Sequence, residues 1–68
     1  IELNLQKNCK VNAKIFDSYG RLIDNIGTWK FTSGDQQIVY NIKDKKSGIY
    51  IIVLTVEDER KVLKLIVE

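Results

Sequence analysis

The segment that most constrains this chain is the nine-residue run GIYIIVLTV at positions 48–56. Its glycine is followed by eight residues that are apolar, β-branched or both, and such residues favour a pleated strand over a helix. Neither face of the run carries a polar stripe, which predicts that protein covers both faces. The rest of a 68-residue chain must then wrap around this strand. We therefore expect a central strand of a compact β-domain.

Alternating apolar and polar residues indicate further strands. In the second strand, the pattern predicts four buried side chains, those of Cys9, Val11, Ala13 and Ile15. Short polar turns separate seven candidate strands, over residues 1–5, 9–16, 21–26, 28–31, 36–42, 48–56 and 61–67. A spacing of roughly 8–12 residues between such strands is typical of a sandwich or barrel. The sequence predicts one all-β domain over residues 1–68.

The composition limits what can stabilise and what can bind this domain. Cys9 is the only cysteine and histidine is absent, so we expect no internal disulfide, no metal site and no other cofactor. The net charge is +2, from 11 basic and 9 acidic residues, which is too small for a nucleic-acid footprint. No apolar run approaches the roughly 20 residues that span a bilayer. The sequence predicts neither nucleic-acid binding nor membrane insertion.

Catalytic chemistry is also not expected. Without histidine, the candidates for acid–base catalysis are carboxylates, and nearly all of these lie in predicted turns, where they usually cap backbone amides. Cys9 has no histidine to activate its thiol. The acidic run at residues 57–59 is better explained as a solvated hairpin tip than as a Ca²⁺ site. We predict no catalytic residues and no enzyme.

The aromatic residues leave a second function open. Trp29 and Phe31 are two positions apart and share one face of their strand. Together with Tyr19 and Tyr40 they could stack against sugars, which would make the chain a carbohydrate-binding or spacer module of a secreted glycosidase or protease. The alternative is that Trp29 and Phe31 belong to the core of this small domain.

Three motifs in order carry a family resemblance. Residues 13–22 form a strand, an Asp17-x-x-Gly20-Arg21 turn and a return strand. A Gly48-Ile-Tyr50 sequence opens the apolar run, and residues 60–67 form a closing strand with two lysines three positions apart. The ordered set resembles the C-terminal sorting domain of the type IX secretion system of Bacteroidetes-type bacteria, over nearly the whole chain. Flagellar-hook-cap assembly modules share the Gly-Arg hairpin and remain a third interpretation.

The resemblance implies an immunoglobulin-like antiparallel β-sandwich at the C-terminus of a larger secreted protein. An outer-membrane translocon would recognise it in the periplasm, and a sortase-like peptidase would remove it from its N-terminal cargo. The cargo would then reach the cell surface or the medium. The residues that the resemblance assigns to translocon recognition are Gly48, Tyr50, Lys61 and Lys64. It assigns the structural turn to Asp17, Gly20 and Arg21.

The sequence departs from the family pattern at two places, one before the first strand and one after the last. The family's usual Pro-Asn-Pro-like segment is missing before the first strand, and Val67-Glu68 stands where a basic residue is common. Lys61 and Lys64 point to opposite faces of a strand, and burying a lone ammonium is costly, so one of them must lie at an edge or an end of the sheet. Such a lysine can guard the edge against aggregation or mark where a partner docks.

Overall fold

The computed structural model describes all residues, 1–68, and is all-β, with 66% strand and no helix. Two antiparallel sheets are present, a small sheet in the order β1-β4 and a large sheet in the order β3-β2-β5-β6. The six strands are β1 Glu2–Leu5, β2 Cys9–Asp17, β3 Leu22–Phe31, β4 Gly34–Gln37, β5 Gly48–Val56 and β6 Glu59–Val67. This confirms the predicted all-β, antiparallel class, although the strands number six rather than seven.

The core lies between the two sheets. We call the side of the large sheet that faces it the inner face, and the opposite side the outer face. The predicted alternation in β2 is confirmed, because Val11, Ala13 and Ile15 are fully buried while Lys10 and Lys14 are exposed. Residues of both sheets and of the segment after β4 form one apolar cluster, made of Leu5, Cys9, Val11, Ala13, Ile15, Ile38, Tyr50, Ile52, Leu54 and Val67.

The prediction that both faces of β5 are covered is wrong. Tyr50, Ile52 and Leu54 are buried on the inner face, but the alternating residues are half-buried and Ile49 is 46% exposed. The small sheet and the segment after β4 pack against the inner face, and no strand covers the outer face. The apolar residues on the outer side of β5 therefore reflect strand propensity and cross-strand pairing rather than burial.

Two of the predicted strands are one continuous strand. Gly27 does not break β3, because two register shifts relative to β2 absorb the irregular pattern at Ile23 and Ile26. A Cβ atom at Gly27 would lie 2.8 Å from the Trp29 ring, so the glycine makes room for the indole. A broken alternation here marks β-bulges and a close side-chain approach instead of a strand end.

The strand predicted over residues 36–42 is shorter and starts earlier, as β4. After β4, Ile38 is buried and its backbone exchanges hydrogen bonds of 2.8 and 2.9 Å with Ile1. Residues 39–42 have no strand opposite them and form no ladder. β-Propensity alone therefore overestimated the length of this strand.

The acidic hairpin between β5 and β6 has a two-residue turn, because Val56 pairs directly with Glu59. Glu57 adopts a left-handed backbone conformation with φ of 54°. Its carboxylate accepts a hydrogen bond of 3.2 Å from the backbone N–H of Lys10, and its own N–H donates to the Lys10 carbonyl at 3.1 Å. These bonds tie the hairpin to the start of β2.

The chain has no helix with the length and apolar character of a membrane span.

Candidate functional site

The turn between β2 and β3 is built around the carboxylate of Asp17. Its Oδ1 accepts hydrogen bonds of 2.9 Å from the backbone N–H groups of Tyr19 and Arg21, and Oδ2 accepts one of 2.7 Å from Arg21 Nε. Gly20 has φ of 86°, in the left-handed region that glycine adopts without steric cost. The spacing of the motif is thus explained by the turn alone, and no external partner is needed to account for it.

These contacts hold the pKa of Asp17 below its ordinary value of 3.8. The backbone N–H of Arg21 contributes most, while burial acts in the opposite direction, and the Arg21 side chain and the Tyr19 N–H add to the lowering. The guanidinium of Arg21 is 76% exposed, so solvent screens its ion pair with Asp17. The backbone hydrogen bonds are therefore the main reason that the carboxylate stays ionised.

The four suspected recognition residues lie on the β5–β6 pair but do not form one site. Gly48 is exposed at the start of β5, opposite Val67. Tyr50 is a core residue whose hydroxyl donates a hydrogen bond of 2.7 Å to the Lys46 carbonyl. An incoming partner cannot reach the Tyr50 ring without opening the core, so a structural role explains this residue.

The two lysines of β6 lie on opposite faces, as their spacing predicts. Lys61 is paired with Leu54 and lies on the inner side, whereas Lys64 is paired with Ile51 and lies on the outer face. Both are exposed, and β6 is an edge strand whose first six residues are all exposed. Neither ammonium is buried without a partner, which satisfies the physical requirement stated above.

Comparison with known protein families gives a match over the whole chain. The family model for the secretion system C-terminal sorting domain matches residues 1–68. The chain belongs to this family. It is a C-terminal sorting signal of the type IX secretion system, which confirms the resemblance of the three motifs. The searches of curated proteins and of solved structures found no significant match.

The aromatic residues of the sorting domain do not form a common platform. Trp29 and Phe31 stack with their ring centroids 5.7 Å apart and their planes 6° apart, and both are half-buried against the core cluster. Tyr19 is 84% exposed in the turn at the opposite end of β2. Nothing in this arrangement favours the carbohydrate-binding alternative.

Tyr40 is occupied by contacts within the domain. Its hydroxyl donates a hydrogen bond of 3.0 Å to Asp24, and the Lys45 ammonium lies 5.5 Å from its ring centroid. The pKa of Lys45 is raised above its ordinary value of 10.5, mainly by its interaction with Tyr40. This cluster fastens the long segment between β4 and β5 to β3, and the half-buried Tyr40 ring also packs against the core cluster.

Sequence reasoning missed a group of exposed apolar residues on the outer face of the sorting domain. Val62 and Ile66 are 62% and 60% exposed in β6, and Leu22 is 55% exposed at the start of β3. The alternation of side chains along a strand does place residues 62 and 66 on the same face as Lys64. The sequence does not show which face of the large sheet the small sheet covers, so it could not show that these residues face solvent.

Proposed function

We propose that the outer-membrane translocon recognises the folded sorting domain along the free edge of β6. The observation that carries this proposal is that β6, nine residues long, pairs only with β5. Alternate backbone N–H and C=O groups along its other side have no strand partner. An exposed edge of this length can accept an added strand from a binding partner, and proteins that do not use such edges normally shorten or cover them.

The charges of β6 support the same proposal. Arg60, Lys61 and Lys64 place cations on both sides of the edge, and all three are exposed. Like charges discourage two copies of the domain from pairing edge to edge, while they attract a partner that presents carboxylates. Edge protection and partner recognition are therefore compatible functions of the same lysines.

We infer that residues 1–68 form a single non-catalytic domain at the C-terminus of a larger secreted protein. The family match over the whole chain supports this inference. The sorting domain would pass through the periplasm attached to an N-terminal cargo, and a sortase-like peptidase would remove it as the cargo reaches the cell surface or the medium. The activity of the secreted protein would then reside in the cargo.

The arrangement of the sheets also supports an immunoglobulin-like sandwich. Two antiparallel sheets contribute to one core cluster, with Leu5 from the small sheet and residues of β2 and β5 from the large one. The large sheet has four strands and the small sheet two, so the second layer is narrower than the first. We propose a reduced sandwich in which part of β6 extends beyond the second layer.

The lysines of β6 provide the test of this recognition. A reporter carrying the Lys61→Ala/Lys64→Ala double variant should bind the purified translocon about tenfold more weakly than wild type, since two exposed ion pairs contribute about 0.7 kcal/mol each. The matched control is Lys43→Ala/Lys46→Ala, which removes two exposed lysines from the loop before β5. Titration by fluorescence anisotropy measures both.

The control should bind within twofold of wild type, and both double variants should keep the wild-type far-UV circular dichroism spectrum. Equal losses of affinity in the two double variants would show that only net charge matters. A β6 variant that binds as tightly as wild type would refute recognition through these lysines.

A further inference from the structure

The outer face of the large sheet is an uncovered surface with one apolar end. Cross-strand pairs place apolar side chains side by side on it, including the pairs Ile49–Ile66 and Val53–Val62. Phe16 of β2 is paired with Ile51 of β5 and with Leu22 of β3, which extends the apolar row from β5 onto β2 and β3. Four of these residues are exposed by 46% to 62%, namely Leu22, Ile49, Val62 and Ile66.

The other end of the outer face is polar and cationic. Asn12 lies in its centre, where its amide donates to the Gly27 carbonyl at 3.1 Å and to the Thr28 hydroxyl at 2.9 Å. The basic residues around it are Lys10, Lys30 and Arg60, whereas Lys14 and Lys64 are paired with Val53 and Ile51 and lie within the apolar end. No strand position on the outer face is acidic. The net charge of the chain is only +2, yet every charged strand position on this face is basic, and these residues lie beside exposed apolar side chains.

We propose that this outer face is a docking surface for a protein of the secretion machinery that presents apolar side chains beside a cluster of carboxylates. The proposal rests on the recognition of the sorting domain described above and specifies which side of β6 the partner covers. The partner would contact Lys64 and the residues that flank it on the outer face, Val62 and Ile66. Lys61, on the inner side of the strand, lies outside this face and would contact the partner only along the β6 edge.

The charge pattern selects this partner over two alternatives. A second copy of the chain would bring two sets of cations face to face, and juxtaposed like charges oppose association. A membrane surface is usually engaged by Trp, Tyr or long apolar side chains that reach the acyl region. The apolar row consists mainly of short β-branched residues on a flat sheet, and such surfaces pack well against another protein layer.

The test uses a reporter fused to residues 1–68 and the detergent-purified type IX translocon as the probe. The apolar variant is Val62→Thr/Ile66→Thr, which keeps β-branched residues in the strand. The charge variant is Lys14→Glu/Lys64→Glu. The matched controls are Val39→Thr, at a valine that is 82% exposed outside this face, and Lys43→Glu/Lys46→Glu in the loop before β5.

Each outer-face variant should weaken binding at least tenfold, whereas the controls should stay within twofold of wild type. The wild-type affinity should also fall several-fold between about 50 and 300 mM salt, because screening weakens attraction between exposed charges. Unchanged thermal unfolding would show that the variants remain folded. Where a variant unfolds, the single substitution Ile66→Thr and the salt dependence of the wild type provide the same test.

Outer-face variants that bind the translocon as tightly as wild type would overturn this inference and leave edge recognition intact. Failure of the wild type to bind the translocon would overturn both. Vesicles of phosphatidylglycerol and phosphatidylcholine test the membrane alternative. Loss of vesicle binding in the outer-face variants, with translocon binding unchanged, would assign the face to lipid and overturn the proposal.

Discussion

The Ile15→Ala variant is expected to lose most of the stability of this domain. Ile15 is fully buried in β2, between β3 and β5. Truncating a buried isoleucine costs about 2–5 kcal/mol through lost burial and the cavity left behind. A domain of this size has only about 3–10 kcal/mol of stability in total. We therefore expect a substantial unfolded population at 37 °C and loss of export of an attached reporter.

Urea unfolding monitored by the fluorescence of Trp29, the single tryptophan, measures this loss. The matched control is Ile66→Ala, because Ile66 is 60% exposed on the edge strand and its truncation should cost less than about 1 kcal/mol. Similar free energies of unfolding for the two variants would contradict the assignment of the core to the inner face.

The Asp17→Ala variant is expected to lower the melting temperature by about 10 °C, because three hydrogen bonds to the carboxylate hold the β2–β3 turn. Asp44→Ala, in the exposed loop before β5, is the control and should melt within about 2 °C of wild type. Differential scanning calorimetry compares the two. Equal small shifts would show that the turn forms without the carboxylate.

The pH dependence of the same turn gives a second readout. The folded-state pKa of Asp17 is lowered from 3.8, so its carboxylate stabilises the fold fully above that value. This contribution is lost as the pH falls below 3.8 and through the folded-state pKa. The Asp17→Asn variant lacks it, so its stability should change less than that of wild type over this range. Parallel pH profiles of the two proteins would contradict the assignment.

Local chemistry made part of the fold predictable from the sequence. The alternation in β2 and the Asp17-x-x-Gly20-Arg21 turn each depend on neighbouring residues, and both are as expected. The interval at Gly27 was misinterpreted because a β-bulge and a strand end give the same break in alternation. The extent of β4 depended on what lies opposite it, which no local pattern encodes.

The candidate site was harder to predict for the same reason. The motif that identifies the family combines residues of two kinds, since Tyr50 supports the core while Lys64 faces solvent. Both occur in the motif, but only the structure distinguishes the residue that builds the scaffold from the one that a partner can touch. The outer side of β5 shows this most clearly. Its apolar residues predicted a covered face, but no other strand of the chain packs against it.

The measurement that tests the central claim most directly is export of a periplasmic reporter fused to residues 1–68, in a bacterium with a type IX secretion system. We expect the reporter at the cell surface or in the medium. It should stay in the periplasm when residues 61–68 are removed or when the host lacks the translocon. Periplasmic retention of the intact fusion, while a known sorting domain exports the same reporter, would contradict the account.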